Sequence, residues 1–73
     1  MPTIDSEGTG KNIKRLMDEK DISYKDVYMA LGLCGHQAVY KWIWGQSLPT
    51  LDNLVGLAYL LDCSIDDILV VRG

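Results

Sequence analysis

Apolar residues recur at helical spacing along most of the chain. Ile13, Leu16 and Met17 stand at i, i+3, i+4 and form one helical stripe. Thr9 just before it is a cap residue type, and the charged run Asp18-Glu19-Lys20-Asp21 closes it, so a first helix is predicted from Gly10 to Lys20. Ser23 caps a second helix running to about Leu31, with Val27, Ala30 and Leu31 as its apolar stripe and Gly32 as its stop. Gly35 to Trp44 reads as a third helix, in which Val39 and Trp42 lie three apart and face one way, and Gly45 ends it. Gln46-Ser47-Leu48-Pro49 is a loop, because proline disfavours helix at the residue before it. Thr50 caps a fourth helix to about Leu61. Ser64 opens a fifth, with Ile65, Ile68 and Leu69 on one side and Asp66 and Asp67 near its positive end.

No alternating run of strand length interrupts this pattern, apart from a short extended tail at Val70-Val71. There is no internal repeat, low-complexity tract or linker. Short helices with brief connections make an all-α domain with one core. That core is predicted from Ile13, Leu16, Val27, Leu31, Val39, Trp42, Leu51, Leu54, Leu57, Ala58, Leu61, Ile65 and Ile68.

Composition narrows the function. A chain of 73 residues, 48% hydrophobic and 23% charged, is one globular domain, too small for an enzyme with a deep two-sided active site. Its two cysteines, Cys34 and Cys63, are too few for a secreted disulfide scaffold and are expected to be reduced. Cys34 and His36 would be two zinc ligands where a closed site needs four, so neither a metal nor another cofactor is expected. His36 has no nucleophile and carboxylate placed to work with it. Gly8-Thr9-Gly10-Lys11 lacks the spacing and preceding strand of a phosphate loop, so no enzyme is expected. The apolar stretch from Leu54 to Leu61 is far short of a membrane span, and the first residues lack the basic and apolar regions of an export signal. A soluble cytoplasmic protein is the expectation.

The net charge of −3 at first argues against a nucleic-acid partner. Its distribution weakens that objection. Residues 9–45 hold six basic side chains against four acidic ones, whereas residues 46–73 hold only Arg72 against Asp52, Asp62, Asp66 and Asp67. An anion responds to the local field rather than to the sum.

The segment from Ile22 to Leu54 is the specific one. A serine-capped helix, a glycine turn, and a helix ending in Lys41-Trp42-x-x-Gly45-x-Ser47-x-Pro49-x-Leu51-x-Asn53-Leu54 resemble the Cro and phage-repressor (Xre-type) helix-turn-helix regulators. Asn12-Ile13-x-x-Leu16 resembles that family's first helix, and Leu60-Leu61-Asp62-Cys63-Ser64-Ile65-Asp66-Asp67-Ile68-Leu69 its closing segment. The resemblance implies a compact five-helix, lambda-repressor-like DNA-binding domain over residues 9–70, with an N-terminal arm (1–8) and a C-terminal tail (71–73).

It also implies a function: sequence-specific binding of double-stranded DNA by a transcriptional regulator. Such a domain lays its third helix, here about 35–45, in the major groove. By resemblance His36, Gln37 and Lys41 take base-reading positions, where glutamine pairs with adenine and lysine donates to guanine. Tyr24, Lys25, Tyr40, Gln46 and Ser47 would contact the DNA backbone. Spacing alone leaves Gln37, Lys41 and His36 open to a plain solvated role. The chain departs from the family pattern at Tyr28, where a small alanine is common, at Cys34-Gly35, which adds a residue before the third helix, and at Ile43 and Leu48. A homodimer is expected, because one recognition helix reads only a few base pairs, with the Ile68-Leu69-Val70-Val71 tail or the helix around Tyr59 as interface. The alternative is a protein–protein adaptor that keeps the fold without DNA, suggested by the acidic balance and the apolar Ile43-Trp44-Leu48 group.

Overall fold

Helix starts follow the side-chain caps. In the computed structural model, which describes residues 2–73, Ser23, Thr50 and Ser64 each accept the backbone N–H three residues on. At Ser23 and Ser64 the carboxylates of Asp26 and Asp67 return the bond to the cap residue's own N–H, closing a capping box. These caps set α2 (Tyr24–Ala30), α4 (Leu51–Leu60) and α5 (Ile65–Ile68). Between them α3 spans Gln37–Ile43, and α1 spans Ser6–Lys20. Two short strands, β1 (Thr3–Ile4) and β2 (Val71–Arg72), pair antiparallel with Thr3 opposite Arg72.

The first four helices stop by one device. A residue in left-handed conformation follows each of them: Asp21, Gly32, Gly45 and Asp62. The next N–H then reaches back five residues, from Ile22 to the Met17 carbonyl, Leu33 to Tyr28, Gln46 to Lys41, and Cys63 to Ala58. Glycine adopts this backbone freely, and aspartate is one of the few other residues that tolerate it.

The start of α1 corrects the expected cap. Thr9 is not the N-cap but a buried residue one turn inside the helix, and Asp5 caps instead, accepting the Gly8 N–H at 3.0 Å. Of the segment expected as an arm, Thr3 and Ile4 form a strand, Asp5 is the cap and residues 6–8 begin α1; Met1 lies outside the described residues. The Thr9 hydroxyl accepts the Val70 N–H at 3.0 Å, and Asn12 donates to the Ile68 carbonyl at 3.1 Å and to that of Asp67. Those carbonyls end α5 and have no partner within it. α1 therefore holds the closing segment as well as its own helix.

The core comprises Ile13, Leu16, Met17, Val27, Val39, Trp42, Leu54, Leu57, Leu61 and Ile68. Leu31, Ala58 and Ile65 pack on its edge. Leu51, expected inside, is 72% exposed because it begins α4 on the side away from the core. In the tail expected as a dimer interface, Ile68 is fully buried and Leu69 packs against the core, while Val71 is exposed. The position of α3 is fixed from behind. Gly10 of α1 meets the Trp42 and Ile43 carbonyls with no room for a Cβ, so α3 lies directly on the α1 backbone.

Candidate nucleic-acid interface

α3 begins two residues later than its sequence pattern suggested. Cys34, Gly35 and His36 are bends, and His36 is the N-cap without a side-chain cap bond. Cys34 and Gly35 thus belong to the turn, and the helix starts at Gln37. Its inner side is anchored by Val39 and by Trp42, which is only 4% exposed. With those two residues turned inward, positions 36, 37, 40, 41 and 44 form the outer side.

That outer side has two rows. Gln37 and Lys41, four apart and both exposed, make a polar row. The Gln37 amide lies back over Gly35, where a Cβ would come within 2.7 Å of its oxygen. Beside it runs an aromatic row. The His36 and Tyr40 rings lie 4.7 Å apart at 64°, and the Tyr40 and Trp44 rings stack at 5.3 Å and 10°. Tyr24, the first residue of α2, meets Tyr40 edge-on at 4.7 Å, and the Lys14 ammonium stands 5.6 Å over the Tyr24 ring. Tyr40 is thus the hub of three aromatic contacts.

Lys14 bonds Asp18 at 2.7 Å, which raises its pKa above the ordinary lysine value, and Arg15 bonds Glu19 at 2.9 Å. Among the described residues, Lys11, Lys20, Lys25 and Lys41 have no ion pair, and of these Lys25 stands on α2 and Lys41 on α3. Asp26, next to Lys25, is held below the usual carboxylate range by the Ser23 N–H and hydroxyl, so it remains ionised as a cap. The acids of α4 and α5 and the turn between them, Asp52, Asp62, Asp66 and Asp67, come from other elements.

The expected site residues divide accordingly. Gln37, Tyr40 and Lys41 come together on α3 with His36 as its N-cap, Tyr24 at the start of α2 meets Tyr40, and Lys25 follows Tyr24 in α2. Gln46 and Ser47 follow α3, but their backbone N–H groups both donate to the Lys41 carbonyl, leaving only their side chains for a phosphate. Trp44, 63% exposed, extends the aromatic row and was not among the expected contacts. The i, i+4, i+8 spacing of His36, Tyr40 and Trp44 was the signal for it. No group of three possible metal ligands occurs among the described residues, and none of the described helices is long and apolar enough to cross a membrane.

A helix held from behind and presenting hydrogen-bonding and aromatic groups outward, after a tight turn from another short helix, is helix-turn-helix geometry. The crystal structure of the restriction-modification controller protein C.AhdI from Aeromonas hydrophila is similar to this fold with a TM-score of 0.78. The two share 25% sequence identity over 88% of this chain and 96% of that one. No curated protein matches the chain. The model of the Cro/C1-type HTH DNA-binding domain matches residues 12–72, from the middle of α1 to the end of β2. The chain belongs to the Cro/C1-type helix-turn-helix family of DNA-binding regulators.

Proposed function

We propose that the protein is a sequence-specific transcriptional regulator that reads the major groove of double-stranded DNA with α3. The observation that carries this reading is the outward row of Gln37 and Lys41 on a helix whose other side is locked by Val39 and Trp42. Gln37, Lys41 and His36 contact base edges, while Tyr24, Lys25, Tyr40 and the side chains of Gln46 and Ser47 approach the DNA backbone. The likeness to a protein described as a restriction-modification controller supports a regulatory role of the same kind.

The regulator acts as a homodimer. Leu51, Val55 and Tyr59 stand four apart along α4 and are 72%, 55% and 90% exposed. Such a ridge packs against its own copy across a two-fold axis, and pairing would place two α3 helices on half-sites about one DNA turn apart. The test is selection of bound duplexes from a random pool, followed by titration at several salt concentrations. A near-palindromic consensus and affinity that falls with salt are expected. The adaptor reading draws support from the aromatic row on α3. Undetectable DNA binding at low salt would favour it.

A further inference from the structure

We propose that the protein also binds single-stranded DNA, with the open face of Trp44 as the platform on which an unpaired base stacks. Tyr40 covers one face of the indole, its ring lying 5.3 Å away and within 10° of parallel, yet Trp44 is 63% exposed, so the other face is bare. Trp44 is the C-cap of α3, and the left-handed Gly45 ends the helix there, so no further helical turn shadows that face. A flat ring holds any base through its π-face. Bases inside a duplex have already given both faces to their neighbours, so the platform fits a strand whose bases are free. The activity stands apart from groove reading, since it needs one bare ring and one cation rather than a docked helix.

Charge decides between a nucleic acid and the other ligand an aromatic surface suits, a proline-rich peptide. No acidic residue occurs from Val27 to Leu51, and the one lysine in that stretch, Lys41, stands three residues before Trp44 on the neighbouring row of α3. Lys41 has no ion pair among the described residues and is placed to take the phosphate beside the stacked base. Asp26, the acid before the stretch, is committed to the Ser23 cap. Glu7 of α1 packs against Gly45, so the strand leaves Trp44 toward Lys41 rather than past Gly45. The platform is also braced. Tyr24 and His36 both meet Tyr40 edge-on, so the ring beneath Trp44 is held before a base arrives and little rotamer freedom is lost on binding.

The test titrates the full chain with oligothymidylate and, in parallel, with an abasic deoxyribose-phosphate strand of the same length, with oligouridylate and with oligoproline. Oligothymidylate should bind about tenfold more tightly than the abasic strand, the worth of one stacked base, and weaken as salt rises. It should also quench the emission of Trp44, while that of Trp42, buried in the core, does not respond. Trp44→Ala should abolish the quench and the tenfold advantage with its dichroism unchanged, and Trp44→Phe, which keeps a ring, should retain the advantage. Lys41→Gln should weaken both strands alike and lower the salt slope. Equal binding of the abasic strand overturns the proposal in favour of charge alone, as does an advantage that survives Trp44→Ala. Tighter binding of oligouridylate or of oligoproline overturns it in favour of RNA or of a protein partner. Failure to bind any strand overturns it too, and leaves the reading of duplex DNA to stand or fall on the duplex selection.

Discussion

Gly10→Ala is the sharpest probe of how the domain holds α3. A Cβ at this position would sit 2.5 Å from the Ile43 carbonyl oxygen and 2.8 Å from its carbon, and nearer still to the Trp42 carbonyl oxygen. All three atoms are α3 backbone, so no rotamer change relieves the overlap. Ordinary contact starts at 3.4 Å, and the two helices must therefore part by about 1 Å at this point. Overpacking a tight interior costs ~1–3 kcal/mol, and the upper end applies where the neighbour is backbone. Alanine returns ~1 kcal/mol through its better helix propensity. The net loss is about 2 kcal/mol, a fall of roughly 8–16 °C in Tm for a domain of this size. Thermal unfolding followed by far-UV dichroism and tryptophan emission measures it. Gly32→Ala is the control: its Cβ would meet nothing within 4 Å, yet φ is +69°, so it should cost only the ~1–2 kcal/mol of left-handed backbone. A Gly10→Ala variant as stable as the parent would refute the view that α3 rests directly on α1.

Trp42→Ala should cost ~3–5 kcal/mol, close to the whole stability of so small a domain; a urea midpoint near the parent's would contradict its place in the core. Gln37→Ala and Lys41→Ala should each lose ~1–3 kcal/mol on the selected site and relax one base preference, while Lys25→Ala should weaken all sequences alike and lower the salt slope by about one. Anisotropy titrations against cognate and random duplexes separate the two effects. The capping carboxylates of Asp26 and Asp67 are held below their ordinary 3.8 by the N–H and hydroxyl of Ser23 and Ser64. Their contribution is present above that value and is lost as pH falls through the lower folded pKa. Asp26→Asn with Asp67→Asn should flatten the dependence of Tm on pH below about 4, and an unchanged profile would remove the caps as its cause. Val55→Asp with Tyr59→Asp should yield a monomer in sedimentation with its dichroism unchanged; a persistent dimer would exclude the α4 ridge.

The helices that sequence placed well are those whose ends carry side-chain chemistry. Ser23, Thr50 and Ser64 announce their helices because a hydroxyl followed three residues later by a free N–H is a local event. Gly32 and Gly45 announce their stops for the same reason. The start of α1 was hidden because the turn Ser6-Glu7-Gly8-Thr9 carries no apolar stripe, and Thr9 and Gly10 are buried through smallness and a hydroxyl bond rather than hydrophobicity. Leu51 misled in the opposite direction: apolar residues surround it in α4, but helix phase turns it outward. At the candidate site the α3 face was legible from Val39 and Trp42, which fix the helix phase. The Tyr24–Tyr40 contact was not, since it joins two helices whose crossing no local pattern encodes.

Thr3 facing Arg72 makes the chain almost a ring. β1 and β2 bring the two ends side by side, an Arg72–Asp5 ion pair at 3.1 Å spans them, and the Asp5 N–H donates to the Val70 carbonyl. A covalent link from Arg72 back to Thr3 would continue the ribbon as a hairpin, and the backbone could then be opened elsewhere, for instance between Gly32 and Leu33. In the linear chain this ribbon closes the longest loop in the molecule. It must therefore be among the last contacts to form in folding, after the locally bonded helices, and among the first to fray. Circularisation would abolish that fraying and steady Asp5, the cap on which the first turn of α1 depends.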